Sequence, residues 1–293
     1  MNPDTLNSRH DVPGVTFVAG QGGLVKAVVE SSLCQAEVFL HGAHVTAFQP
    51  TGQSPVLWVS QSSDFDADKP IRGGVPICFP WFGPLAGNPD APGHGWARTT
   101  AWDVRGVSDL GTEGIEIVLT TTIDPYDLSY RIVMGRTLSM ELTVSLAATA
   151  DQPARFEEAL HTYLAIGDIH QVAIDGLQPS TYLDKVDGGQ IKPASGAAIR
   201  FDAECDRVYL GTTATCQLHD PVLKRTIEIA KTNSDNTVVW NPWIAKSARM
   251  ADFGNDEWPS MVCIETANVG DASVTLQPGE SHTMAARIAV SDD

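Results

Sequence analysis

Apolar and β-branched residues recur at every second position over most of this 293-residue chain, and that period admits few architectures. Ile115, Ile117 and Leu119, for example, alternate with Glu116, Val118 and Thr120. Successive side chains of a strand point to opposite sides, so a period of two marks a pleated strand with one buried face. The alternation predicts strands over Val15–Ala19, Leu24–Glu30, Glu37–His41, His44–Phe48 and Val56–Ser60. It resumes over Ala101–Val107, Gly114–Ile123, Ser129–Leu138, Met140–Thr149 and Arg155–Ile166. Later strands are expected at Arg207–Leu210, Thr215–His219, Leu223–Ala230, Ser260–Ala267, Ser273–Leu276 and His282–Val290. One helix is expected, Ile244–Met250, with Pro242 near its first turn. The cluster Gly20-Gln21-Gly22-Gly23 reads as a turn, because it completes no G-x-G-x-x-G and no helix follows. Many short strands with neither repeat nor linker imply an all-β sandwich or barrel, a single domain over 1–293 with residues 1–14 as a polar lead-in.

Charge and composition remove several function classes. The chain carries 19 basic against 36 acidic residues, a formal net charge of −17, so it lacks the basic footprint of a nucleic-acid binder. No run approaches the roughly 18 apolar residues of a membrane span. Residues 1–14 contain no apolar stretch behind a basic segment, so they are not read as a secretory signal. Five scattered cysteines (Cys34, Cys78, Cys205, Cys216, Cys263) form no C-x-x-C pair, which fits reduced thiols in a cytoplasmic protein better than a disulfide framework. An acidic surface with no long apolar seam makes a monomer the expectation.

One stretch breaks the strand pattern. Ile71-Arg72-Gly73-Gly74-Val75-Pro76-Ile77-Cys78-Phe79-Pro80-Trp81-Phe82-Gly83-Pro84 is too rich in proline and glycine for a helix or central strand, and too apolar for a solvated loop. Such a rigid aromatic loop is suited to a pocket wall. A second unusual run follows, Pro92-Gly93-His94-Gly95-Trp96-Ala97-Arg98. The two loops are expected to share a site with Arg72 and Arg98 as its cationic donors, although packed structural loops with surface arginines would read the same way. In so acidic a chain an anionic ligand needs local cations, because charges beyond about 8–10 Å are screened.

The chain offers no G-x-S-x-G, H-E-x-x-H or P-loop, which leaves acid–base chemistry. Within Arg155–Ile166 the odd positions Arg155, Glu157, His161 and Tyr163 make a hydrogen-bonding face, either solvent-exposed or in a cleft. His161 is the candidate proton carrier there, since imidazole titrates near neutrality. Glu265 interrupts the apolar run Met261–Ile264, so it must be solvated, paired or functional. Asp206 is a third candidate, though it could simply pair with Arg207. His41 and His44 lie three apart on a strand and face opposite sides unless a bulge intervenes, so no metal site is expected.

The runs IRGGVP-x-CFPWFGP, GHGWAR, EEALHTYL, DRVYL, VVWNPW and ADFGNDEWPSMVCIET occur in that order. Together they resemble the hexose-6-phosphate mutarotases, the glucose-6-phosphate 1-epimerase branch of the aldose 1-epimerase (galactose mutarotase-like) family. The likeness runs from about Gly42 to Pro278. It implies a β-supersandwich with a shallow sugar cleft, His161 as general acid and Glu265 as general base. It further implies substrate binding by Arg72, Arg98 and Asp206, with a hexose 6-phosphate as substrate. His94 is a further substrate-binding candidate, Trp81 or Phe82 would pack against a sugar face, and acid–base ring opening requires no cofactor. Two departures stand out: Gly93 where the family often has glutamine, and Trp96 for a phenylalanine. The alternatives are a non-catalytic sugar-phosphate sensor, or a mutarotase for unphosphorylated aldoses in which the arginines pair with Asp64 or Asp66.

Overall fold

The computed structural model describes residues 2–293, and antiparallel sheet dominates it. One eight-stranded sheet runs Gln190–Lys192, Tyr182–Asp184, Cys205–Tyr209, Asn236–Asn241, Met261–Asn268, Glu158–Leu160, Ile77–Cys78, with Tyr163–Ala165 also paired to Met261–Asn268. The second runs Ala173–Asp175, Cys216–Asp220, Arg225–Thr232, Ser281–Asp292, Leu138–Leu146, Tyr126–Met134, Ile115–Ile123, Asp103–Asp109. A four-stranded sheet (Val15–Ala19, Val25–Glu30, Cys34–Phe39, His44–Pro50) and the pair Ala154–Phe156 with Val274–Leu276 complete the set. One apolar cluster takes residues from the two large sheets and the four-stranded one, among them Phe17, Phe48, Tyr130, Leu142, Ile229 and Ile264.

The two large sheets differ in how they are covered. Leu138–Leu146 is buried at every second residue, the signature of one wet face. Asn236–Asn241 and Met261–Asn268 are buried at every position, so both faces are covered and the alternation disappears. That double cover carries Glu265, Thr266 and Asn268 into the interior.

Most expected strands are present with their ends shifted by a few residues. Arg155–Ile166 is not one strand but three, Ala154–Phe156, Glu158–Leu160 and Tyr163–Ala165. The break has a local cause: the Thr162 amide turns back to the Leu160 carbonyl at 2.9 Å, while the His161 amide donates to Pro76. Val56–Ser60 makes only isolated bridges, Leu57 to Leu164 and Val59 to Gly73. The expected helix Ile244–Met250 is a single turn displaced toward the N-terminus, Trp243–Ser247. The lead-in contains a second helix, Pro3–Arg9, capped by Asn2, whose side chain accepts from the Asp4 amide at 2.8 Å. All five cysteines are buried and unpaired, and among the described residues no helix is long and apolar enough to cross a membrane.

Candidate active site

The register of the first large sheet sets two adjacent rows of side chains on one face. Asp206 pairs with Trp240, Trp240 with Cys263, Cys263 with Tyr163, and Val238 lies directly across from Glu265. Asp206, Trp240, Tyr163, Val238 and Glu265 all line a cavity of about 300 Å³, joined there by Arg72, Phe82, His94, His161, Lys185 and Lys246. That volume lies at the small end of ligand pockets, about 300–1,000 Å³.

His161 and Glu265 meet inside this cavity, Nε2 to Oε1 at 3.4 Å. Both are almost fully buried, and neither His161 Nδ1 nor Glu265 Oε2 has a partner. Burial pushes His161 well below the usual imidazole range, and His94, Arg72 and Arg98 add to the effect. Burial raises Glu265 well above the usual carboxylate range, opposed by the Lys185 cation and reinforced by Asp206. Both groups are therefore driven toward their neutral forms, and as close neighbours they titrate as a pair. The His161 ring stacks on Tyr163, centroids 4.7 Å apart and planes within 12°.

The two loops converge here. Gly73 takes φ 118°, and a Cβ on it would stand 2.4 Å from the Trp58 carbonyl oxygen, so only glycine lets the chain turn there beside Arg72. Arg72 donates Nε and Nη2 to Asp252 Oδ2 at 3.1 and 2.9 Å, and Nη1 to the Tyr163 hydroxyl at 2.9 Å. Its acidic partner is thus neither Asp64, which pairs with Lys69, nor Asp66. The second loop brings His94 edge-on to His161, centroids 5.6 Å apart. His94 Nδ1 accepts from the Gly83 amide at 3.3 Å, which leaves the proton of the neutral ring on Nε2. Burial, helped by Arg98 and Lys185, pushes His94 down to about 3.

Of the residues expected from sequence, His161, Glu265, Arg72, Asp206, His94 and Phe82 line the cavity, whereas Arg98 and Trp81 do not. Arg98 donates Nη2 to the Gly93 carbonyl and so braces the loop carrying His94. Trp81 donates its indole N–H to the Pro92 carbonyl at 3.0 Å and packs against Trp96. Asp206 does not pair with Arg207, which turns to Asp184. It bonds Lys246 Nζ at 3.2 Å and lies 3.9 Å from Lys185 Nζ. Sequence reasoning missed Lys185, Lys246, Trp240 and Asp252. Lys185 stands in the turn-rich, polar stretch 175–198, where the only clue was a lysine beside the turn Asp187-Gly188-Gly189.

His41 and His44 flank a turn at Gly42 and Ala43, both with positive φ, and bond the Lys69 and Gly73 carbonyls separately. The one compact donor set among the described residues is His161, Cys263 and Glu265, whose ligand atoms lie within 4.8 Å of one another.

The aldose 1-epimerase family profile matches residues 27–289. The chain is 32% identical to a "Putative glucose-6-phosphate 1-epimerase" of Cenchrus ciliaris, over 92% of this chain and 85% of that protein. It is 34% identical to a protein of the same name from Salmonella typhimurium, over 82% and 81% of the two chains. The crystal structure of a "putative mutarotase" from Salmonella typhimurium superposes with a TM-score of 0.89 at 30% identity, covering 96% of this chain and 95% of that one. Galactose 1-epimerase from Lactobacillus acidophilus shares the fold, with a TM-score of 0.73 at 14% identity over 95% and 98% of the chains. With the family profile matching residues 27–289 and relatives of 32–34% identity covered over most of both chains, the chain belongs to the aldose 1-epimerase family.

Proposed function

We propose that this protein interconverts the α and β anomers of a hexose 6-phosphate, glucose 6-phosphate foremost, by acid–base ring opening and closure. The observation that carries the reading is the His161–Glu265 pair, 3.4 Å apart in the wall of a sugar-sized cavity. In the opening half-reaction the Glu265 carboxylate takes the proton from the anomeric O1, and His161 delivers one to the ring oxygen O5. The C1–O5 bond breaks and C1=O1 forms. Rotation about C1–C2 presents the other face, O5 attacks C1, Glu265 returns its proton to O1, and His161 recovers the proton from O5.

The pair begins and ends each half-reaction with one proton, held first on His161 and then on Glu265. Burial that lowers the histidine and raises the glutamate opposes the ordinary preference for the charged arrangement and favours the one with the proton on Glu265, the state in which ring opening leaves the pair. No cofactor enters the scheme. Arg72, braced by Asp252 and Tyr163, lies beside the acid, and His94 offers Nε2–H to a substrate oxygen. Asp206 accepts from sugar hydroxyls, and Phe82 covers one sugar face. Arg98 and Trp81 serve the substrate through the loop they brace. The names of the relatives support a phosphorylated hexose, and we place the enzyme in the cytoplasm as a monomer.

A second reading, an unphosphorylated aldose, is favoured by one observation: Arg72 and Arg98 both already have partners in the protein. Polarimetry of freshly dissolved α-glucose 6-phosphate, glucose and galactose separates the two. Faster equilibration of the phosphorylated sugar is expected. Equal acceleration of the free sugars would favour the second reading, and no acceleration of any would remove both.

A further inference from the structure

We infer that His161, Glu265 and Cys263 form an inhibitory site for a thiophilic divalent cation, zinc above all, which switches the acid–base pair off reversibly; the inhibition, though not the binding, rests on the mutarotase reading above. The ligand atoms of these three side chains lie within 4.8 Å of one another. His161 Nε2 and Glu265 Oε1 are 3.4 Å apart, longer than an ordinary N–H···O bond of about 2.7–3.2 Å. Nitrogen and oxygen donors held about 2.0–2.1 Å from a tetrahedral ion stand roughly 3.4 Å from each other. The acid and the base are thus already spaced as two ligands of one zinc ion. A zinc–sulfur bond of about 2.3 Å sets sulfur roughly 3.6 Å from each of them, so Cys263 closes the third position with a shift of at most about 1.2 Å.

The sheet builds this arrangement. Cys263 and Glu265 stand two apart on Met261–Asn268, hence on one face. His161 falls in the break between two short strands that pair with it, Leu160 opposite Thr266 and Tyr163 opposite Cys263. Behind Cys263 lies an apolar cluster with Trp58, Tyr163, Trp240 and Phe253, whereas His161 and Glu265 line the cavity. A water or a sugar hydroxyl from that cavity would complete four-coordination. All three side chains are buried, and Glu265 Oε2 has no partner in the protein. As the ion binds, the Cys263 thiol gives its proton to solvent, and the neutral His161 ring binds through Nε2 and keeps its proton on Nδ1. Thiolate and carboxylate together neutralise the dication, so no net charge is left in the interior. His161 Nδ1 lacks the carbonyl or carboxylate acceptor that resident metal sites supply, which makes this a site of reversible occupancy. The sulfur and imidazole ligands select zinc over magnesium or calcium, which prefer oxygen. The ring-opening scheme makes no use of Cys263.

The test titrates the metal-free protein with Co²⁺, then with Zn²⁺, in the wild type, Cys263→Ala, Cys263→Ser and Glu265→Gln. In the wild type a thiolate-to-cobalt charge-transfer band in the near ultraviolet should saturate at one equivalent and vanish as Zn²⁺ displaces the cobalt. Both cysteine variants should lack the band, and Glu265→Gln, which keeps the thiol, should need more Co²⁺ to reach it. Outer-shell partners alone contribute about 10–100-fold to metal affinity, so each lost ligand should weaken binding by at least that much. Glucose 6-phosphate anomer exchange in the wild type should stop as Zn²⁺ saturates, return with EDTA and ignore Mg²⁺. No band in the wild type, the same band in the cysteine variants, or an unchanged Co²⁺ affinity in Glu265→Gln would overturn the site. The band in a metal-free wild type that turns over no sugar would uphold the site and remove the mutarotase reading. The band together with full turnover at saturating Zn²⁺ would overturn the inhibition.

Discussion

Tyr163 lies flat on the His161 imidazole, ring centroids 4.7 Å apart, while its hydroxyl accepts from Arg72 at 2.9 Å. One side chain thus connects the proposed acid to the cation of the first loop. Tyr163→Phe keeps the stack and removes the bond. A hydrogen bond to a charged group contributes about 1.5–3 kcal/mol to stability, so the thermal midpoint should fall by several degrees, and kcat/KM should fall about tenfold as the guanidinium loses its anchor. Tyr163→Leu, which also removes the stack, should cost more in kcat. Steady-state kinetics on the two variants checks this, and equal effects would mean the stack has no role.

The turn beside Arg72 makes a backbone prediction. Gly73→Ala forces a Cβ at φ 118° to within 2.4 Å of the Trp58 carbonyl oxygen. Strain of that kind costs about 1–3 kcal/mol, and because the neighbouring guanidinium shifts with the turn, activity should fall as well. Urea denaturation alongside kinetics tests both effects. Unaltered stability would contradict the role given to this glycine.

Stability should depend on pH through two buried histidines. His44 is fully buried, bonds the Gly73 carbonyl through Nε2, and burial pushes it down from the ordinary 6.5 to about 3; His94 behaves similarly. A group whose folded value is depressed contributes stability above its unfolded value and loses it as pH falls toward the folded one. Unfolding free energy should therefore decline from pH 6.5 toward 3 by up to two protons' worth from this pair. Between pH 4.5 and 6.5 His161 and Glu265 act in opposite senses and offset each other, whereas below 4.5 only His161 still adds to the decline. His44→Gln, whose amide reaches the same carbonyl, should flatten the decline by about one proton, read from urea midpoints across the range. An identical slope would contradict the assignment.

Much of this was readable from residues alone, for identifiable reasons. Glu265 drew notice because a carboxylate in an apolar strand is costly, and the doubly covered strand Met261–Asn268 is where that cost arises. His161 and Tyr163 were read on one face by alternation, and they share the cavity even though the strand breaks beside them. The partner of Arg72 was not readable, because Asp252 lies 180 residues away and only the folded chain brings it near. The helix Pro3–Arg9 escaped for a different reason: it buries a single residue, Leu6, so it carries no apolar period. Lys185 looked solvated because its hairpin is polar, and a lysine facing a cavity has the same local sequence as one facing water.

The most direct measurement is the rate of anomer exchange in glucose 6-phosphate, followed by NMR magnetisation transfer in the wild type, Glu265→Gln and His161→Ala. Positioned acids and bases typically contribute about 10²–10⁴-fold, so each variant should lose kcat on that scale while still binding the sugar phosphate by calorimetry. The double variant should lose little more than either single one, because the two groups exchange one proton as a unit. Exchange in either variant at the wild-type rate would contradict the central claim.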